Sequence, residues 1–196
     1  MLNVVIFGAP GSGKGTQSKL IVPKYRLYHI STGDILRREM ENQTELGTVV
    51  KEYINKGLLI PDDLMIKVLS NVLESRSETM GYIFDGFPRT IAQSEALDNI
   101  LRAKNTMVTA VINIFVKEEE LVERMIKRGK DLGRTDDNLE TIQNRLNVYH
   151  EYDDSIISYY KKRGKLFTIK GNNPIEDVFE QIVEILDRLS SKEYKV

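Results

Sequence analysis

The stretch Gly8-Ala9-Pro10-Gly11-Ser12-Gly13-Lys14-Gly15-Thr16 decides what kind of fold this chain adopts. It follows the apolar run Val4–Phe7 and matches G-x-x-x-x-G-K, the phosphate-binding loop that joins a strand to a helix. Its glycines let several backbone N–H groups converge on phosphate oxygens, and the following helix N-terminus and Lys14 add positive charge. A dinucleotide-binding turn does not fit, because Thr16 stands where G-x-G-x-x-G needs its third glycine. The stretch therefore predicts a P-loop for a nucleoside triphosphate.

The composition limits the classes of function that are open to the chain. Its 196 residues suit one domain with a sizeable core, and 28 Lys and Arg balance 29 Asp and Glu. This balance argues against a general nucleic-acid or membrane-surface binder. The absence of cysteine excludes disulfides, thiolate zinc sites and cysteine nucleophiles. There is no signal-peptide pattern and no apolar run near the roughly 20 residues that span a bilayer, so we expect a soluble, cytoplasmic protein.

Short apolar runs alternate with longer segments of helical periodicity, which is typical of an α/β fold with a parallel sheet and covering helices. The strand candidates are Val4–Phe7, Tyr28–Ile30, Tyr82–Phe84, Ala110–Phe115 and Leu166–Ile169. Two segments interrupt the alternation. Residues 31–60 form a small helical insertion, and residues 129–138 resemble an exposed loop between helices. Insertions at strand ends are where ligands bind and lids form in such sheets.

Charged residues at these strand and helix ends indicate phosphate chemistry. Asp85 directly follows a strand, where an acid can hold Mg²⁺ and its waters beside a phosphate loop. Gly15 replaces the usual hydroxyl residue and Thr16 comes one position later, so we expect the metal to be held mainly through water. Six arginines flank the predicted ligand crevice, and guanidinium groups bind phosphate bidentately: Arg37, Arg89, Arg124, Arg128, Arg134 and Arg145.

Four ordered motifs make the chain resemble the adenylate kinase family over essentially its whole length. They are the P-loop, then Ser31-Thr32-Gly33-Asp34 with Leu36-Arg37, then Asp85-Gly86-Phe87-Pro88-Arg89 with Gln93, and finally Gly133-Arg134 with Asp136-Asp137 and Arg145. The resemblance implies a five-stranded parallel P-loop core (residues 1–30, 61–126 and 138–196). It also implies a helical NMP-binding insertion over residues 31–60 and a short lid over residues 127–137. A monomer is expected from the same resemblance.

The resemblance further implies reversible transfer of the γ-phosphoryl group of MgATP to AMP, giving two ADP. ATP would bind the P-loop residues Gly11, Ser12, Gly13, Lys14, Gly15 and Thr16 together with Arg124, Arg128 and Asn173. AMP would bind Thr32, Arg37, Leu58, Leu59, Ile60, Gly86, Phe87, Pro88, Arg89, Gln93, Arg134 and Arg145. Catalysis would rest on Lys14, Arg89, Arg128, Arg134 and Arg145, with Asp136 and Asp137 positioning the arginines. A lid this short, without cysteine, implies no structural zinc.

Two alternatives accompany this interpretation. UMP/CMP kinases share the pattern, but they typically carry Ala at the position of Thr32 and Asn after the Pro-Arg pair, so Thr32 and Gln93 favour AMP. A guanine-binding Asn-Lys-x-Asp would support a regulatory P-loop protein, but the nearest match, Asn55-Lys56-Gly57-Leu58, lacks the final Asp. His29, His150 and the tyrosines near residue 150 are interpreted as structural.

Overall fold

The computed structural model of the chain describes residues 1–76, 79–134 and 136–193. Within these ranges one parallel sheet has the strand order β2-β3-β1-β4-β5. Its strands are β1 (Leu2–Phe7), β2 (Tyr28–Ser31), β3 (Gly81–Asp85), β4 (Ala110–Phe115) and β5 (Leu166–Lys170). All five predicted strands are confirmed, and so is the α/β fold class.

Helices cover both faces of this sheet and also form the insertion between β2 and β3. They are α1 (Lys14–Tyr25), α2 (Thr32–Glu41), α3 (Glu45–Lys56), α4 (Asp62–Glu74), α5 (Ile91–Ala103), α6 (Glu118–Leu132), α7 (Leu139–Lys161) and α8 (Ile175–Glu193). The predicted helical unit in residues 31–60 consists of α2 and α3. Some residues of the predicted core and lid lie outside the described residues. They are residues 77, 78 and 194–196 of the core and residue 135 of the lid.

The core lies on both sides of β1, the central strand. Val5 packs into the cluster under α4, α5 and α7, whereas Val4 and Ile6 pack into the cluster under α1, α6 and α8. Burial on both faces explains why the strand is a continuous apolar run rather than an alternating one. The register pairs both Ile6 and Ser31 with Asp85, so the carboxyl ends of β1, β2 and β3 meet at one edge of the sheet.

The expected loop over residues 129–138 is wrong in its first part, because α6 continues to Leu132. Gly129 does not end the helix. A Cβ built there would lie 2.9 Å from the Cβ of Asp137, so this glycine permits close packing inside the helix. The helix ends at Gly133, whose φ of +61° is left-handed. The loop is also less exposed than expected, since Asp136 and Asp137 are buried.

Candidate active site

The P-loop lies at the carboxyl end of β1 and leads into α1. Gly8 has φ +137° and Gly11 has φ +84°, and a Cβ at Gly11 would lie 2.9 Å from the carbonyl oxygen of Leu121. Both the backbone conformation and the close approach of α6 therefore require glycine at this position. Gly8 and residues 10–16 of this loop line a cavity at the same edge of the sheet.

Two adjoining cavities occupy this edge of the sheet, one of about 900 Å³ and one of about 70 Å³. Seven residues line both cavities: Gly33, Arg37, Gly57, Leu59, Gly86, Arg89 and Arg145. Every residue predicted to bind a nucleotide or to take part in catalysis lines at least one of them, whereas the positioning acids Asp136 and Asp137 line neither. The P-loop, Asp85, Arg124, Arg128, Arg134 and Asn173 line the larger cavity, whereas Thr32, Leu58, Ile60 and Gln93 line the smaller.

Lys14 projects back over the P-loop at the base of the larger cavity. Its Nζ donates hydrogen bonds of 2.8 Å to the carbonyl oxygens of Gly8 and Ala9. Burial lowers the pKa of Lys14 to about 8, and the neighbouring arginines act in the same direction while Asp85 opposes them. A polyanion in the cleft would favour the charged ammonium, so phosphate binding and protonation of Lys14 support each other.

Asp85 lies next to the P-loop and lines the larger cavity, at the place where the sequence predicts Mg²⁺. Its Oδ2 lies 3.7 Å from a Cβ built at Gly15 and 3.7 Å from Nε2 of His29. Thr16 is exposed and lines the same cavity. One carboxylate with open space around it suits Mg²⁺, which keeps several waters and takes its other ligands from phosphates. The Gly at position 15 leaves that space beside the carboxylate.

Asp136 and Asp137 hold two of the predicted catalytic arginines by hydrogen bonds. Asp137 accepts two hydrogen bonds of 2.7 Å from Arg128 and one of 3.0 Å from Arg145. Asp136 accepts a further bond from Arg145. Although burial of Asp136 opposes ionisation, the pair with Arg145 holds the pKa of this carboxyl below its ordinary value. The sequence-based expectation that these acids position arginines agrees with these contacts.

The other arginines predicted to bind phosphate come from the insertion and from the segment after β3. Arg37 donates a 2.5 Å bond to Asp34, which also lies 3.8 Å from Arg134. Arg89 donates from Nε to the carbonyl oxygen of Gly86 at 2.8 Å. Solvent reaches Arg89 through the open cleft, yet the burial imposed by the cleft walls, together with Arg145, lowers its pKa to about 10. Arg89 is therefore still a cation at neutral pH.

At the far end of the larger cavity, Arg124 is held in one orientation. Its two terminal nitrogens donate 3.1 Å bonds to the carbonyl oxygen of Gly171, and Glu120 accepts another at 3.2 Å. Asn173 lies on the same wall. A planar guanidinium fixed in this way presents a face on which an aromatic base can stack.

Several residues of the site were missed by sequence reasoning. His29 lines the larger cavity rather than serving only the core, and among the described residues its buried Nε2 has no hydrogen-bond partner. Its place in a strand that leads directly into Ser31-Thr32 was the available signal. Tyr149 and Tyr152, interpreted as packing residues, also line this cavity. Asp62 bonds the predicted base-reading residue Gln93, a contact for which the sequence offered no signal.

Among the described residues, no group of three or more His, Cys, Asp or Glu side chains is arranged to hold a metal ion. In the same ranges, none of the helices is long and apolar enough to cross a bilayer. The absence of structural zinc stays a prediction.

Comparisons with known proteins agree with this geometry. A family model described as adenylate kinase matches residues 6–165. The chain belongs to the adenylate kinase family. A curated adenylate kinase of Azobacteroides pseudotrichonymphae is 57% identical over 96% of this chain and 99% of its own length. Those of Parabacteroides distasonis and Bacteroides thetaiotaomicron are 54% and 53% identical, each over 96% of this chain and 100% of their own length. The adenylate kinase assignment is thereby confirmed, and nothing in these matches favours a UMP/CMP kinase.

Proposed function

We propose that this adenylate kinase family member transfers the γ-phosphoryl group of MgATP to the phosphate of AMP, using the residues described above. The bond between the γ-phosphorus and the β–γ bridging oxygen breaks, an AMP phosphate oxygen bonds to that phosphorus, and two ADP result. The observation that carries the proposal is the convergence of Lys14 and the phosphate-facing arginines on one cleft beside a second, smaller cavity. Direct phosphoryl transfer between two nucleotides depends on positioning and on charge neutralisation. It needs no covalent enzyme intermediate.

On the donor side, the P-loop N–H groups and Lys14 would hold the β- and γ-phosphates of ATP. Arg124 would stack on the adenine, with Asn173 closing that end of the cavity. Support comes from the glycine geometry of the loop and from the fixed orientation of Arg124. Mg²⁺ bound through water to Asp85 would supply charge neutralisation between the phosphates.

On the acceptor side, Arg37 and Arg89 would hold the AMP phosphate where the two cavities meet. Thr32, Gln93 and the backbone of Leu58, Leu59 and Ile60 would surround its base in the smaller cavity, and Gly86, Phe87 and Pro88 would line the path between. Arg128, Arg134 and Arg145 would surround the transferring group. Arg145 and Arg89 line both cavities, as residues between donor and acceptor must.

The insertion (residues 31–60) and the lid (residues 127–137) would close over the core (residues 1–30, 61–126 and 138–196) and exclude water, which otherwise competes with AMP. Contacts already bridge these parts: Thr141 donates to the carbonyl oxygen of Asn55 at 2.9 Å, and Arg37 lies 3.9 Å from Asp136. A monomeric, cytoplasmic enzyme without nucleic-acid or membrane partners is part of the proposal, on the strength of the family resemblance.

A coupled assay of ADP formation tests the proposal. The chain is given MgATP with AMP, dAMP, CMP, UMP or GMP in turn, and ADP is counted per ATP consumed. We expect rapid turnover with AMP and two ADP per ATP. Comparable rates with CMP would support the pyrimidine kinase alternative, and ATP hydrolysis without dependence on any acceptor would refute phosphoryl transfer between nucleotides.

A further inference from the structure

A closed set of hydrogen bonds surrounds the side chain of Gln93, which is only 2% exposed. The backbone N–H of Arg89 donates to Gln93 Oε1 at 2.8 Å, and Gln93 Nε2 donates to Asp62 Oδ1 at 2.7 Å. The other oxygen of Asp62 accepts from the hydroxyl of Thr90 at 2.9 Å, and this hydroxyl accepts from the backbone N–H of Gln93 at 3.1 Å. Asp62 opens α4 and Thr90 caps α5, so the packing of two helices creates the set.

The partners fix which way the Gln93 amide points. A backbone N–H can only donate, so the atom facing Arg89 must be the amide oxygen. A carboxylate can only accept, so the atom facing Asp62 must be the amide nitrogen. Rotating the amide by half a turn would place an NH₂ group against an N–H and an oxygen against a carboxylate. Both contacts would then be lost inside a buried site, where unpaired polar groups are costly.

The fixed amide keeps one acceptor position on Oε1 and one donor hydrogen on Nε2. Gln93 lines the smaller cavity, which the proposed function assigns to the acceptor base, and these are the two positions that its amide can offer to that base. Adenine offers the matching pair, an amino donor beside a ring-nitrogen acceptor. A 6-oxopurine offers the reverse, an oxo acceptor beside a ring N–H donor, and would set oxygen against oxygen and N–H against N–H.

We propose that Asp62 is a positioning residue for acceptor specificity: by fixing the Gln93 amide it makes the site accept 6-aminopurine monophosphates and reject 6-oxopurine monophosphates. A free glutamine could serve either base by rotating its amide, so Gln93 alone would not discriminate. Asp62 and the Arg89 N–H together supply the discrimination, and Asp62 contributes its part from outside both cavities. This inference rests on the proposed function, in which the smaller cavity holds the acceptor base.

The variant Asp62→Asn tests the proposal, because its side chain has the same shape and can either accept from or donate to Gln93. We expect the ratio of kcat/KM for AMP over IMP to fall by about tenfold, through a higher KM for AMP and a gain with IMP, while the KM for ATP stays unchanged. The Arg89 N–H still favours the original orientation, so the discrimination is not abolished. Asp63→Asn is the matched control: it removes the same charge from the same helix turn, but Asp63 is exposed. An unchanged AMP-to-IMP ratio in folded Asp62→Asn would overturn the proposal.

A measurement on the unsubstituted chain covers the case in which Asp62→Asn does not fold. Purine riboside 5′-monophosphate lacks the 6-substituent, so it loses one hydrogen bond to the fixed amide but opposes nothing. We expect the order AMP, then purine riboside monophosphate, then IMP in kcat/KM. Use of IMP as well as or better than the unsubstituted purine would refute a fixed amide. If the chain forms no ADP from ATP and AMP, the proposed function fails; if it does and the order is different, only this inference fails.

Discussion

Replacing Asp137 with Ala removes the anchor shared by Arg128 and Arg145, and its effect can be worked out from the contacts. The Asp137 side chain is 0% exposed, whereas those of Arg128 and Arg145 are 29% and 17% exposed. Each of the three charge-assisted bonds to Asp137 has a typical net value of about 1.5–3 kcal/mol, but bonds that share a carboxylate do not add. Water also reaches both arginines from the cleft and solvates them after the substitution.

We therefore expect the free energy of unfolding to fall by about 2–4 kcal/mol, near the lower end of the range for breaking a buried ion pair. For a chain of this size, each kcal/mol lowers the melting temperature by about 2–4 °C, so Asp137→Ala should melt roughly 5–15 °C lower. The loss of kcat/KM should be larger than unfolding of part of the protein would cause, because both guanidinium groups lose their fixed position. A displacement of about 1 Å in such groups reduces kcat/KM by around a hundredfold.

Thermal unfolding followed by circular dichroism and the coupled ADP assay at 25 °C measure the two effects separately. Asp137→Asn keeps the shape but places an NH₂ group near guanidinium donors, so it should lose nearly as much as Asp137→Ala. Glu123→Gln, an exposed acid on the same helix as Arg128, is the control and should be close to neutral. If Asp137→Ala melts and turns over like Glu123→Gln, the aspartate does not anchor the arginines and the reasoning fails.

Three further outcomes are expected. Arg89→Ala or Arg134→Ala should lower kcat/KM by roughly two to five decades, as for other arginines that stabilise phosphoryl transfer, whereas the exposed Arg102 should tolerate Ala; an equal loss at Arg102 would contradict the site. The pKa of Lys14 without ligand is lowered to about 8, and bound phosphates raise it. The Kd for ATP, measured by calorimetry, should therefore increase above pH 8 by up to about tenfold per pH unit. The variant Lys14→Arg should show no such dependence on pH. A zinc-selective chelator should leave the melting temperature unchanged while removal of all divalent ions stops catalysis, and stoichiometric zinc in the purified protein would count against this.

Local patterns predicted much of the fold and of the candidate site. Strands buried on both faces are continuous apolar runs, so β1 and β4 are visible without any tertiary information. The end of α6 could not be predicted in this way. Gly129 resembles a helix terminator in sequence, and only the tertiary structure shows that it lies inside the helix, packed against Asp137. The position of His29 beside Asp85 could not be predicted for a similar reason, because it depends on the pairing of β2 with β3.

The sequence by itself determined the phosphate-binding loop, because its residue types stand at a fixed short spacing, and the parallel α/β fold, because apolar runs and helical periodicity are local patterns. The arginines around the cleft were predicted from their places beside strand and helix ends and from the family resemblance. Only the tertiary structure decided which acid holds which arginine, and that Asp62 holds Gln93 across 31 residues of chain. Side chains so far apart meet only after α4 packs against α5 and α6 turns back into α7. Hydrogen bonds of this kind are selected by the geometry of packed elements, and no local propensity in the sequence encodes them.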